Sequence, residues 1–126
     1  MADILAPAAI GNQITAKNAH KIKAKIIFEL ANNPISEEAE KILTQKGILI
    51  VPDILANAGG VLGSYFEWRS NVEGKKMSYR QSVKALIDRM EEATKKVLSV
   101  AKKKKISMRQ AAYVIAIERI AKKLKK

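Results

Sequence analysis

The sequence predicts an α/β fold: a small parallel sheet of about three strands, with two long helices from the second half packed on it. Three observations carry this. Short apolar runs alternate with polar, helix-like segments through the first half, the pattern of βαβ units. One of those runs, Ile48-Leu49-Ile50-Val51, is continuously apolar, as expected for a strand buried on both faces. In the second half the apolar positions change to a 3–4 spacing and keep it almost to the end. The 126 residues read as one domain, with a βαβ part over 1–60 and a helical part over 61–126.

The elements follow in order. Ile4-Leu5-Ala6 is a short apolar run stopped by Pro7, and Thr15 to Lys23 reads as a short polar helix. Lys25 to Leu30 holds Ile26-Ile27-Phe28, β-branched and aromatic, and reads as a strand. Ser36 is placed to cap the next helix, with Glu37 and Glu38 at the positive end of its dipole. Ala39, Ile42 and Leu43 give that helix an apolar face, and Gly47 ends it. After the run Ile48–Val51, a helix is expected to start near Gly59 or Gly60. Ser78 with Gln81, and Ser107 with Gln110, are two capping boxes. The first opens a helix with an apolar stripe at Val83, Leu86, Ile87, Met90, Ala93, Val97, Leu98 and Ala101. The second opens a helix whose stripe, Ala111 to Leu124, is wide enough to predict burial on more than one side.

Composition excludes several classes of function. Without cysteine there are no disulfides and no thiolate metal sites, which suits the cytoplasm. No apolar run approaches the roughly 20 residues of a membrane helix. Net charge is +12 and uneven: residues 1–60 carry six lysines and six acids, so the second half holds the whole excess. The cluster Lys102–Lys105 reads as a solvated helix end rather than a nucleic-acid surface, because no aromatic residue is interleaved with it to stack on bases. His20, the sole histidine, has no partner that would make it a metal ligand or a base. Glu67 and Trp68 read as an interface or core tryptophan with a paired glutamate. Tyr65, Phe66 and Trp68 cannot all face one side of a helix, so at least one is expected to meet another domain or subunit.

Three segments lie where strands end: Pro7 to Asn12, Asn32-Asn33-Pro34, and Asn57 to Gly60. In a parallel sheet their loops converge at the carboxyl edge, where such sheets bind ligands. A helix start after the third strand offers unpaired N–H groups, its glycines allow close approach, and Ser64 adds a hydroxyl on the same side. A carboxylate or a carboxamide would suit it; an ordinary glycine-softened turn is the alternative. No GxGxxG fingerprint occurs anywhere in the chain.

These segments also resemble a known family. "GILIVPDILANAGGVLGSYFEW" closely resembles a segment of the glutamate dehydrogenases, "ADILAPAAIGNQIT" and "KIKAKIIFELANNPISEEAEKIL" are similar to two earlier ones, and "MRQAAYVIAIERIA" to the closing helix. The resemblance covers nearly the whole chain in the right order. It implies the C-terminal part of a Rossmann-type cofactor domain, from an enzyme that oxidatively deaminates glutamate to 2-oxoglutarate with NAD or NADP. It implies that Ala8 and Ala9 face the nicotinamide, that Asn32 and Asn57 lie near the nicotinamide and its ribose, and that Val61 and Ser64 line the substrate pocket, Ser64 holding the side-chain carboxylate. Nothing in this stretch matches the family's catalytic lysine and aspartate or its glycine fingerprint. The chain is therefore expected to be inactive alone and to bind cofactor poorly, with no catalytic residue of its own. A homo-oligomer, or docking on a complementary or full-length dehydrogenase chain, is expected. The sequence departs from the family at Leu30 and Asn33, which replace glycines, at Ile35-Ser36, which replaces two threonines, and at Leu62-Gly63, which replaces Thr-Val.

Overall fold

The computed structural model describes residues 2–125. Its sheet has three parallel strands, β1 (Ile4–Leu5), β2 (Ile26–Phe28) and β3 (Leu49–Val51), in the order β1-β2-β3. Ile4 stands opposite Ile26, which in turn stands opposite Leu49. Helix α1 (Glu37–Gln45) connects β2 to β3, and a single turn, α2 (Asp53–Ala56), follows β3. Three longer helices complete the chain: α3 (Ala58–Glu73), α4 (Tyr79–Lys104) and α5 (Met108–Leu124). The expected α/β class, with its small parallel sheet and long C-terminal helices, is what the chain forms.

Local chemistry accounts for the element ends. The Ser36 hydroxyl accepts the Ala39 N–H at 3.3 Å and starts α1, and Gly47, at φ 73°, follows its last turn. Both expected capping boxes form, at Ser78 with Gln81 and at Ser107 with Gln110. The strand expected over Lys25–Leu30 is shorter, because the Leu30 and Ala31 N–H groups turn to the Pro7 carbonyl instead. The helix expected over Thr15–Lys23 shrinks to one 3-10 turn at Ala19–Lys21. There the Asn18 side chain accepts the Thr15 N–H and donates to the Gln13 carbonyl, which bends the chain away from helix.

The sheet separates two apolar clusters. Ile27 and Ile50 pack with Ala39 and Leu43 of α1 on one face. Val51 packs on the other with Leu55 of α2, Val97 and Ala101 of α4, and Met108, Ala111, Ala112 and Ile115 of α5. Burial of β3 on both faces therefore holds at Ile50 and Val51, while Leu49, at the start of this edge strand, is 45% exposed. Helix α5 lies directly on β3, and α4 packs against α5 and α3.

One expectation about the helices is corrected. Burial of α5 on several sides fails: only its first half is covered, on one face, and Ile117, Ile120 and Leu124 are exposed. The stripe of α4 is fully buried only at Val97 and Ala101, and Val83, Ile87 and Leu98 are exposed. In both cases no described element lies over the exposed part of the stripe. Trp68 is 60% exposed on α3, which excludes the core alternative for this residue and leaves the interface one, and no ion pair to Glu67 occurs among the described residues. No helix among the described residues is long and apolar enough to cross a membrane.

Candidate functional site

The loops that follow the three strands meet at the carboxyl edge of the sheet; backbone hydrogen bonds tie the first two together, and the side chains of Asp53 and Asn57 join the third to them. The Pro7 carbonyl accepts from Leu30 and Ala31, and the Asn33 carbonyl accepts from Asn12. Ile14 and Ile35 form an isolated parallel bridge that extends the β1–β2 pairing past the strand ends. Gly11 is needed for this approach: a Cβ there would stand 3.2 Å from the Asn32 carbonyl oxygen and 3.3 Å from that of Asn33. Asn33 adopts φ 46°, a left-handed conformation that asparagine tolerates better than most residues. An asparagine in place of the family's glycine at this position keeps the same backbone accessible.

An open cleft of about 610 Å³ lies among these loops, lined by Ala8, Ala9, Ile10, Gly11, Leu30, Ala31, Asn32, Asn57, Gly60 and Val61. Five of the six residues expected at the site, Ala8, Ala9, Asn32, Asn57 and Val61, are thereby brought together. Ser64 is not on the lining. It is exposed on α3, one turn beyond Gly60.

At the centre of the cleft Asn57 Nδ2 donates to Asn32 Oδ1 at 2.7 Å and, more weakly, to the Leu30 carbonyl at 3.4 Å. The Asn57 side chain is spent on this contact and does not cap α3. The bare helix start expected near Gly59 and Gly60 is also modified. The turn α2 runs into α3 with only Asn57 between them, and the Gly60 N–H points to the Asn57 carbonyl at 3.4 Å. What this end of the cleft offers is mainly carboxamide chemistry. The bond to Asn32 orients both side chains: Asn32 Nδ2 remains a donor and Asn57 Oδ1 an acceptor.

Beneath the cleft lies a cluster that the sequence reading did not anticipate. Arg109, in the first turn of α5, bonds three carboxylates on three different segments. Its Nη2 reaches Glu29 Oε1 and Oε2 at 2.6 and 2.7 Å, its Nε reaches Glu40 Oε2 at 2.7 Å, and its Nη1 reaches Asp53 Oδ1 at 3.0 Å. Glu29 is fully buried, and the side chains of Arg109, Glu40 and Asp53 are 17, 21 and 17% exposed. Burial pushes the Glu29 carboxyl above its usual 4.5, against the opposing pull of Arg109 and the Asp53 N–H. Burial pulls the Arg109 guanidinium down, but hydrogen bonds and charge from Glu29 and Glu40 outweigh it and hold it above its ordinary value.

The small lining suits a flat ring, and a paired donor and acceptor suit a primary carboxamide, so the residues present fit the nicotinamide end of a dinucleotide. No group of acids and histidines among the described residues could hold a metal ion.

Comparison with known proteins bears on the family and the fold. The chain is 51% identical over 119 residues to an NAD-specific glutamate dehydrogenase of Staphylococcus aureus, covering 94% of this chain and 29% of that protein. The structure superimposes on glutamate dehydrogenase from Peptoniphilus asaccharolyticus with a TM-score of 0.90 at 40% identity, covering 95% of this chain and 30% of the other. It also superimposes on the hetero-hexameric glutamate dehydrogenase from Thermus thermophilus, with a TM-score of 0.92 at 28% identity, covering 98% and 30%. The chain thus spans about three tenths of the length of these relatives. The sequence model of the glutamate/leucine/phenylalanine/valine dehydrogenase family matches residues 1–126, and the chain belongs to that family.

Proposed function

We propose that this chain is the C-terminal portion of the cofactor domain of a glutamate dehydrogenase and forms the nicotinamide-facing half of its NAD cleft. The observation that carries this is the convergence of Ala8, Ala9, Asn32, Asn57 and Val61 on one cleft at the carboxyl edge of the sheet. Ala8 and Ala9 form a low surface for the ring. Asn32 Nδ2 and Asn57 Oδ1 hold the nicotinamide carboxamide, donor to acceptor and acceptor to donor. Val61 and Ser64, on successive turns of α3, face the amino acid, with the Ser64 hydroxyl on its side-chain carboxylate. When bound, the nicotinamide supplies a hydride acceptor for the substrate α-carbon. The chain's part is to hold ring and substrate in register, where geometry carries much of the rate.

The stretch from 1 to 126 contains no glycine fingerprint for the pyrophosphate, and we infer that it does not catalyse by itself. Purified chain, assayed with glutamate and NAD or NADP, is expected to give no reduction above a blank; turnover would refute that inference. NADH titrated into isotope-labelled chain is expected to shift the amides of Ala8 and Ala9 and the side chain of Asn57. Shifts confined to other regions would refute the cleft assignment.

A docking role on a complementary or full-length dehydrogenase chain is supported by β1. It pairs only with β2 among the described residues, and Ile4 on it is exposed. A strand edge of this kind invites another strand. Sedimentation should show a complex when a polypeptide carrying the rest of a glutamate dehydrogenase is added. A persistent monomer would count against docking.

A further inference from the structure

We propose that Arg109 is a positioning residue for the Asn32–Asn57 carboxamide pair, acting on it through Asp53 and Glu29. The proposal rests on the reading of the cleft as a nicotinamide site. Arg109 is not on the cleft lining, yet its bonds to Asp53 and Glu29 lead there. Its Nη1 holds Asp53 Oδ1, and the other oxygen of that carboxylate, Oδ2, accepts the Asn33 N–H at 2.8 Å. Asn33 is the residue after Asn32, at φ 46°, so its N–H bond to Asp53 fixes the backbone directly beside Asn32. Its Nη2 holds Glu29, whose Oε2 accepts the Asp53 N–H at 2.8 Å and so fixes the start of α2. The other end of that turn is Asn57, whose N–H donates to the Asp53 carbonyl at 3.1 Å. One guanidinium therefore sets the backbone beside both carboxamides.

Packing alone does not call for this arrangement. A buried ion cluster can often be replaced by apolar side chains at no loss of stability. Apolar side chains could not provide an acceptor for the Asn33 N–H or for the Asp53 N–H. Those two acceptors bring the loop after β2 and the turn after β3 into register, and the 2.7 Å bond between Asn57 and Asn32 depends on that register.

The test is amide hydrogen exchange and side-chain NMR on the full chain carrying Arg109→Lys. Loss of the restraint on Asp53 is expected to speed exchange at Asn33 by about tenfold or more, the factor carried by one charge-assisted hydrogen bond. The Asn57 side-chain resonances should move towards those of a solvated carboxamide. A purely structural role predicts instead a uniform change, equal at Asn33 and at core amides such as Ile27 and Ile115, with the Asn57 side chain unmoved. That result would overturn the proposal. Should Arg109→Lys fail to fold, Asp53→Asn tests the same step, since its side-chain oxygen can still accept the Asn33 N–H while the charge that Arg109 holds is gone; unchanged exchange at Asn33 would overturn it equally. NADH titration separates the two readings. If NADH shifts only residues outside the cleft of the wild-type chain, the nicotinamide reading fails, and the exchange data still decide whether Arg109 positions the pair.

Discussion

Replacing Arg109 with methionine strands three carboxylates around a side chain of similar reach but no charge. Glu29 is fully buried, and the side chains of Glu40 and Asp53 are about one-fifth exposed, so water cannot fully replace the lost partner. Removing one member of a buried ion pair typically costs about 3–5 kcal/mol, whereas an exposed pair is worth about 0–1 kcal/mol. The arrangement belongs to the first class, because the bonds from Arg109 run from 2.6 to 3.0 Å and tie α5 to β2, α1 and α2. A domain of ordinary size has about 5–15 kcal/mol in total, so the variant should lose a large fraction of its stability. Urea unfolding followed by circular dichroism should show a lower midpoint with an unchanged slope, and Tm should fall by on the order of 10 °C. The double variant Arg109→Met/Glu29→Gln should lose less than the sum of the two singles, because the second change removes a charge that the first left unpaired. A loss below about 1 kcal/mol for Arg109→Met, or strict additivity in the double variant, would refute the account of the cluster as a coupled, desolvated unit.

Three other outcomes follow from the structure. Gly63 lies inside α3, and a Cβ there would meet Leu86 Cδ1 of α4 at an ordinary 3.7 Å. Gly63→Ala should therefore raise stability by about 0.5–1 kcal/mol in a thermal melt, through helix propensity. Gly11→Ala should do the opposite. Its Cβ would press on two backbone carbonyls at 3.2 and 3.3 Å, and a lower Tm with faster exchange at Asn12 is the measurable result. For Glu29 the sign of the pH effect is fixed by its raised pKa. The folded chain takes up a proton before the unfolded one does, so the contribution of Glu29 to stability is complete below 4.5 and is lost as pH rises through the folded value. The stability of wild type relative to Glu29→Gln should rise as pH falls from neutrality towards 4.5; a constant or shrinking difference would contradict it.

The fold was legible wherever a local rule decides the structure. Ser36, Ser78 and Ser107 each announce a helix start because the hydroxyl that caps the helix is adjacent in sequence to the amides it satisfies. Ile26 to Phe28 and Leu49 to Val51 announce strands because their side chains are β-branched or apolar on both faces. The misreadings arise where a distant or missing surface decides. A wide apolar stripe on α5 predicts burial on several sides, but periodicity reports only that a face is apolar, not what covers it. Ile117, Ile120 and Leu124 are apolar and exposed together.

The site divides along the same line. The segments that hold Ala8, Ala9, Asn32 and Asn57 could be found because each follows a strand, and a parallel sheet brings strand ends together whatever lies between them, whereas Val61 was reached only through the family resemblance. Arg109 could not, since it sits 80 residues from Glu29 and 56 from Asp53. One signal was available in Glu29, an acid directly after Ile26-Ile27-Phe28 at the end of a buried strand, where a carboxylate is costly without a cation. The first half of the chain offers lysines for that role, but a lysine would make a point contact. Serving Glu29, Glu40 and Asp53 at once takes the planar fork of a guanidinium, and that requirement places the partner on the helix that crosses the end of the sheet, α5. Through these bonds the closing helix is tied to the segments that carry the loops of the cleft.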